Sequence, residues 1–104
     1  MRMEHEGLDV YQLALEVARW VVKQPFPRGL ADLKNQGVRA AASVVLNIAE
    51  GSRRRGKARE NHYEIARGSA AETLAVLMIA DLAGAEEQAH KLRRVDRMLE
   101  RMGG

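Results

Sequence analysis

The chain has no cysteine, only two prolines, and few aromatic residues: one Trp, one Phe and two Tyr. Without cysteine there are no disulfides and no thiolate nucleophiles or thiolate metal ligands. Because the prolines stand together at Pro25 and Pro27, they interrupt the chain at one place. With so few aromatics, the core has to be built from Ala, Val, Leu, Ile and Met. Long apolar runs are also missing. No stretch approaches the ~20 residues that a membrane-spanning helix needs. The opening residues Met1–Asp9 are charged and polar, with no apolar signal core, so a cytoplasmic protein is expected. His5, His62 and His90 have no ligand-like spacing, and neither a metal nor a cofactor is expected.

A chain of 104 residues suits a single domain spanning 1–104. Its alanine-rich, 30 % charged composition favours helix over strand. Apolar residues recur at helical spacing in four segments, predicting helices at about 9–23, 30–50, 58–83 and 85–102. Joined by short connections, these make an all-α, antiparallel up-down-up-down four-helix bundle. The first helix stops before Pro25, and Phe26 is expected to tuck back onto the bundle. Val10, Leu13, Ala14, Val17 and Val21 form one stripe, and Tyr11, Leu15, Ala18 and Val22 a second. A helix apolar over so much of its circumference needs more cover than one neighbour provides, so either it sits deep in the bundle or another subunit buries part of it. In the third helix Ile65, Ala66, Ser69, Thr73, Val76, Ile79, Ala80 and Ala83 predict the buried face.

Gly51 reads as the left-handed residue that ends the second helix. After it comes a basic loop, 52–57; Arg53, Arg54, Arg55, Lys57 and Arg59 follow one another with no acid among them. The formal net charge is only +3, so this clustering says more about partners than the total does. The five side chains are candidates for phosphate contacts that read no bases. The competing reading is a solvated loop at a helix end. The basic residues of the last helix could extend the surface, or be an exposed face paired with Glu87, Asp96 and Glu100. Folding the hairpin about residue 55 puts Asn47 opposite His62, and Arg39 opposite the turn that holds Glu72. A polar network of Arg39, Asn47, Glu50, His62 and Glu72 is therefore expected, including an Arg39–Glu72 pair that fixes helix register. Asn47, Glu50 and His62 could also form an acid–base cluster. However, neither a second catalytic His nor a metal-binding carboxylate set accompanies them, so no catalytic residue is assigned and no enzyme is expected. Gly37 and Gly68 read as sites of close helix packing.

Several of these residues carry a resemblance. Ser43-Val-Val-Leu-Asn-Ile-Ala-Glu-Gly51 is preceded by Arg39-Ala-Ala and followed by the basic loop and Ala66-Arg-Gly-Ser-Ala-Ala-Glu72. The pattern resembles the four-helix-bundle proteins encoded in 23S rRNA intervening sequences. Leu8-Asp-Val-Tyr-Gln-Leu-Ala14 looks like that family's first helix. The chain departs from the family where Val45 replaces a frequent proline and Leu46 a frequent serine. The resemblance implies a ring-like homopentamer. It also implies architectural kinship with the accessory variability determinant of diversity-generating retroelements, which binds nucleic acid and a reverse transcriptase. The function expected is thus a non-enzymatic oligomeric accessory protein that binds RNA or DNA–RNA through a basic rim. The alternative is a protein-interaction scaffold, for example an accessory subunit for a reverse transcriptase.

Overall fold

A computed structural model describes residues 3–103. After a 3-10 turn at Glu4–Gly7 come four helices: α1 (Asp9–Lys23), α2 (Ala31–Ser52), α3 (Gly56–Ala80) and α4 (Ala85–Arg101). No strand occurs among the described residues. The helices pack into a bundle of 43 × 27 × 21 Å.

Local chemistry sets each boundary. Gln24, the residue before Pro25, is extended (φ −76°, ψ 131°), which ends α1. Phe26 then packs on the core, with Lys34 Nζ 6.0 Å from its ring centroid. The same ammonium donates to the Gln24 carbonyl at 2.6 Å, tying the connection to α2. α3 begins two residues before its predicted start and ends three before its predicted end. It stops at Ala80 because Asp81 turns left-handed (φ 51°) and donates its N–H to the Leu77 carbonyl. Asp tolerates this region better than most side chains. Gly84, also left-handed, opens α4, and a side chain there would press on Trp20 at 3.3 Å.

The core draws on all four helices. Val10, Ala14, Val17 and Val21 come from α1, and Ala41, Val44 and Ile48 from α2. α3 adds Tyr63, Ala66, Ala70 and Leu77; α4 adds Ala85, Leu92, Val95 and Leu99. The small residues let backbones approach closely. At Gly37 an added Cβ would lie 2.9 Å from Val76 Cγ1, as expected of a packing glycine. Gly68 differs: nothing lies within 4 Å of the same construction, so it is not a packing glycine within this chain.

The buried face of α3 is rotated from the predicted one. Ile65 and Ile79 are 47 % and 67 % exposed, whereas Tyr63 and Ala70 are buried. Ala66, Thr73 and Ala80 mark the centre of the buried face, and Ile65 and Ile79 each precede one of them by a residue, about 100° round the helix. On α2, Leu46 is 66 % exposed. Val22 of the second α1 stripe is exposed as well, while Tyr11, Leu15 and Ala18 are half-buried.

Candidate nucleic-acid interface

The α2/α3 hairpin is held by a chain of polar contacts. The Asn47 amide nitrogen donates to the Ser43 carbonyl at 2.9 Å and to Ser43 Oγ at 3.1 Å. A carbonyl only accepts, so this orientation leaves Asn47 Oδ1 facing α3, where His62 Nδ1 meets it at 3.0 Å. His62 Nδ1 therefore carries the proton that the amide oxygen accepts. Ser43 Oγ bonds Ser69 Oγ at 2.8 Å, and Thr73 Oγ1 donates to the Ser69 carbonyl at 2.8 Å. The Asn47–His62 contact is the one that folding the sequence about residue 55 predicts.

Other members of the expected network lie elsewhere. Glu50 accepts from Arg54 one turn on, forming an ion pair with it, and Arg54 holds its carboxyl below the usual carboxylate range. His62 thus meets an amide, and no His62–carboxylate hydrogen bond forms among the described residues. Arg39 and Glu72 are both exposed and form no ion pair with each other. Along α2 the step from Asn47 to Ser43 to Arg39 turns about 40° each time, so Arg39 has rotated off the shared face. Thr73, fully buried, takes the inward position beside Glu72.

Gly51 does not end α2. The helix continues through Ser52, and Gly51 is buried against Tyr63 and His62. Its missing side chain makes room for the Tyr63 ring, since an added Cβ would sit 2.7 Å from Cε1. Burial raises the Tyr63 phenol above its ordinary pKa.

The connection is shorter than the expected loop 52–57: only 53–55 lie between α2 and α3, Lys57 and Arg59 stand in the first turn of α3, and the five cations divide by role. Arg59 reaches back to cap α2, donating to the carbonyls of Gly51 at 3.1 Å and Ser52 at 2.9 Å. These are among the carbonyls a helix end leaves without internal partners. Arg54 is held by Glu50. Arg53, Arg55 and Lys57 are exposed and have no acidic partner among the described residues. Removing the Arg59 side chain is expected to cost about 1–2 kcal/mol, because two charge-assisted bonds to the helix end are lost. Arg53→Ala is expected to stay within ±0.5 kcal/mol. Urea unfolding of the two variants at one protein concentration checks this; equal effects would place Arg59 with the surface charges.

The sequence reading missed Arg67. Its guanidinium crosses from α3 to α4, 2.8 Å from Asp96 Oδ1 and 3.4 Å from Glu100 Oε2, with Glu64 at 4.0 Å. The Asp96 hydrogen bond raises its pKa further. Lys91 similarly ties α4 to Glu16 of α1 at 3.2 Å, with Glu87 at 3.7 Å. These acids are therefore turned to other helices or to Lys91, not paired with the α4 arginines. Folding α3 against α4 about residues 82–83 would have placed Arg67 between Asp96 and Glu100, so the signal was available.

The α4 C-terminus returns to the basic loop. Lys57, Glu60, Asn61, Glu64 and Gly103 line one shallow groove there. A second holds Ser52, Arg59, Tyr63 and Met102. Among the described residues no group of three or more His, Asp or Glu side chains converges as a metal site would require, and no helix is long and apolar enough to cross a membrane.

Fold and surface together define a small all-helical bundle with a basic end, whose surface carries unpartnered arginines. The chain belongs to the family of 23S rRNA-intervening sequence proteins, whose model matches residues 6–102. No curated protein matches it.

Proposed function

We propose that the protein is a non-enzymatic, cytoplasmic accessory protein that holds structured RNA or DNA–RNA through a basic rim. Its antiparallel bundles would assemble into a ring-like homopentamer. One observation carries the reading: Arg53, Arg55 and Lys57 stand exposed and form no ion pair among the described residues at a hairpin end, which Arg59 and the Asn47–His62 contact hold in place. The family's description, tied to ribosomal RNA genes, agrees with an RNA partner. Assembly is supported by the exposed Leu46, Ile65 and Ile79 on α2 and α3, large apolar side chains that a neighbouring subunit would cover. Repeating the loop around a ring multiplies its phosphate contacts without any change in the single chain.

The same apolar side chains favour a second reading, in which the bundle is a scaffold for a different protein, such as a reverse transcriptase. A salt titration separates the two. Structured RNA and a matched DNA duplex are bound by the native chain and by an Arg53→Ala/Arg55→Ala/Lys57→Ala variant, with solution mass measured alongside. For the nucleic-acid reading, affinity falls steeply with salt, and the variant flattens the log–log slope by roughly 2–3 per chain engaged. Its mass stays near five times the 11.6 kDa of the chain. A native chain that binds neither ligand at low salt would remove this reading and leave the scaffold.

A further inference from the structure

We propose that the outer face of α4, carrying Arg93, Arg94, Arg97 and Arg101, is a track for the phosphate backbone of duplex nucleic acid, with the basic loop as its continuation. The inference rests on the nucleic-acid reading above and names the duplex as the ligand and α4 as the main contact.

The four arginines are exposed and have no acidic partner among the described residues. Sequence spacing alone would neutralise them. Asp96 stands three residues from Arg93, and Glu100 three from Arg97, spacings at which helical ion pairs form. The fold prevents this, because Arg67 takes both carboxylates from across the helix interface. Glu87 is held by Lys91. With Asp96, Glu100 and Glu87 so engaged, the last turns of α4 are predominantly cationic on the outside, while the exposed Glu86 stands about two turns before Arg93 on the same side.

The geometry suits a repeating anion. Arg93, Arg97 and Arg101 recur every four residues, so their Cα atoms climb about 6 Å per step along one side of the helix. Arg94, Arg97, Met98 and Arg101 line a groove of 240 Å³. Beside it, Arg93, Asp96 and Arg97 rim a 280 Å³ groove floored by Ala70, Ala71, Leu74 and Leu92. Complementing the helix dipole accounts only for basic residues in the last turn. Arg93 and Arg94 lie about two turns from the end of α4, beyond its reach. Gly103, just past the α4 end, shares a groove with Lys57, Glu60, Asn61 and Glu64 at the start of α3, so the track ends near the basic loop with two acids beside the junction.

The surface favours a duplex over a single strand. Single-strand sites combine cations with aromatic rings on which bases stack. No Phe, Tyr or Trp occurs in α4 or in the basic loop, Tyr63 nearby is buried, and the single imidazole of His90 is the one ring on α4. Contacts here are therefore to backbone phosphates, which hold position and read no sequence.

The test uses the full chain with a duplex RNA of arbitrary sequence, and with one of its strands alone at equal phosphate concentration. Two variants each remove three exposed cations: Arg94→Gln/Arg97→Gln/Arg101→Gln on α4, and Arg53→Gln/Arg55→Gln/Lys57→Gln in the loop. Matched charge loss separates position from net charge. The α4 variant is expected to lose at least tenfold in duplex affinity at moderate salt, and more than the loop variant. Its log–log salt slope should flatten by roughly 2–3 per chain engaged. The native chain should prefer duplex to single strand. If the loop variant loses binding and the α4 variant does not, the track is wrong while the nucleic-acid reading stands. Preference for the single strand likewise overturns the duplex assignment. Displacement of the duplex by polyglutamate at equal charge would identify the face as a site for acidic protein. A native chain that binds neither nucleic acid takes the broader reading down as well.

Discussion

Gly51→Ala is expected to destabilise the protein by about 2 kcal/mol, although alanine is the better helix former by about 1 kcal/mol. Gly51 is buried inside α2, and the added methyl would stand 2.7 Å from Tyr63 Cε1, 2.8 Å from Cδ1 and 3.0 Å from His62 Cβ. These are not flexible side-chain tips. Tyr63 is only 1 % exposed, packed within the core on every side, and the His62 Cβ moves only with the α3 backbone. Relief therefore requires the two helices to part at the loop end. Overpacking of this kind costs typically 1–3 kcal/mol. Gly68→Ala is the control, since nothing lies within 4 Å of its added methyl. That variant should gain up to about 1 kcal/mol from helix propensity alone. Thermal unfolding at one fixed protein concentration should show the Gly51 variant melting roughly 10 °C lower, and the Gly68 variant no lower than native. Similar shifts in both would mean that the Tyr63 contact does not limit the hairpin.

The fold was largely legible because its helices carry long, uninterrupted apolar periodicity and their ends carry proline or glycine. Where the reading slipped, two physical causes produced the same letters. A glycine after a long apolar run reads as a left-handed terminus, yet a glycine demanded by an aromatic ring on a facing helix looks identical. Gly51 is the second kind. At the far end of α3 the left-handed turn falls on a residue that is not glycine, Asp81, which the letters do not mark as a helix end. Ile65 and Ile79 fall on the edge of the helically spaced stripe that predicts the buried face, whereas the rotation of the helix centres that face on the smaller Ala66, Ala70 and Ala80, which allow close approach.

The site was legible in its register and illegible in its division of labour. The symmetry of a hairpin about its turn placed Asn47 against His62 correctly. The same symmetry failed at Arg39 and Glu72, eight or more residues further from the loop, where helical drift has accumulated. Nothing in the letters distinguishes Arg59 from Arg53 or Arg55. Only the three-dimensional return of α3 brings its guanidinium to the carbonyls of Gly51 and Ser52. Arg67 was overlooked because its partners lie on another helix, about thirty residues away in sequence. Yet this one cross-helix pairing decides which side of α4 is charged.

The polar chain along the hairpin provides the last test. Asn47→Leu keeps a similar volume and removes contacts to the Ser43 carbonyl, Ser43 Oγ and His62 Nδ1. The groups left behind are half-buried, so water compensates them in part, and the loss is expected to be about 2 kcal/mol. His62→Ala removes the other side of one contact. If Asn47 and His62 act through their hydrogen bond, the double variant should fall short of the sum of the singles by about 1 kcal/mol, as coupled neighbours do. Additivity to within about 0.3 kcal/mol would show that the two residues stabilise the hairpin independently. The same variants bear on function. A network that only aligns two helices changes stability and leaves the salt slope of nucleic-acid binding intact at temperatures where the variants stay folded, because its hydrogen bonds join α2 to α3 and involve none of Arg53, Arg55 and Lys57. A changed slope in His62→Ala would instead place the imidazole among the contacts and extend the basic surface from the loop down the stem of the hairpin.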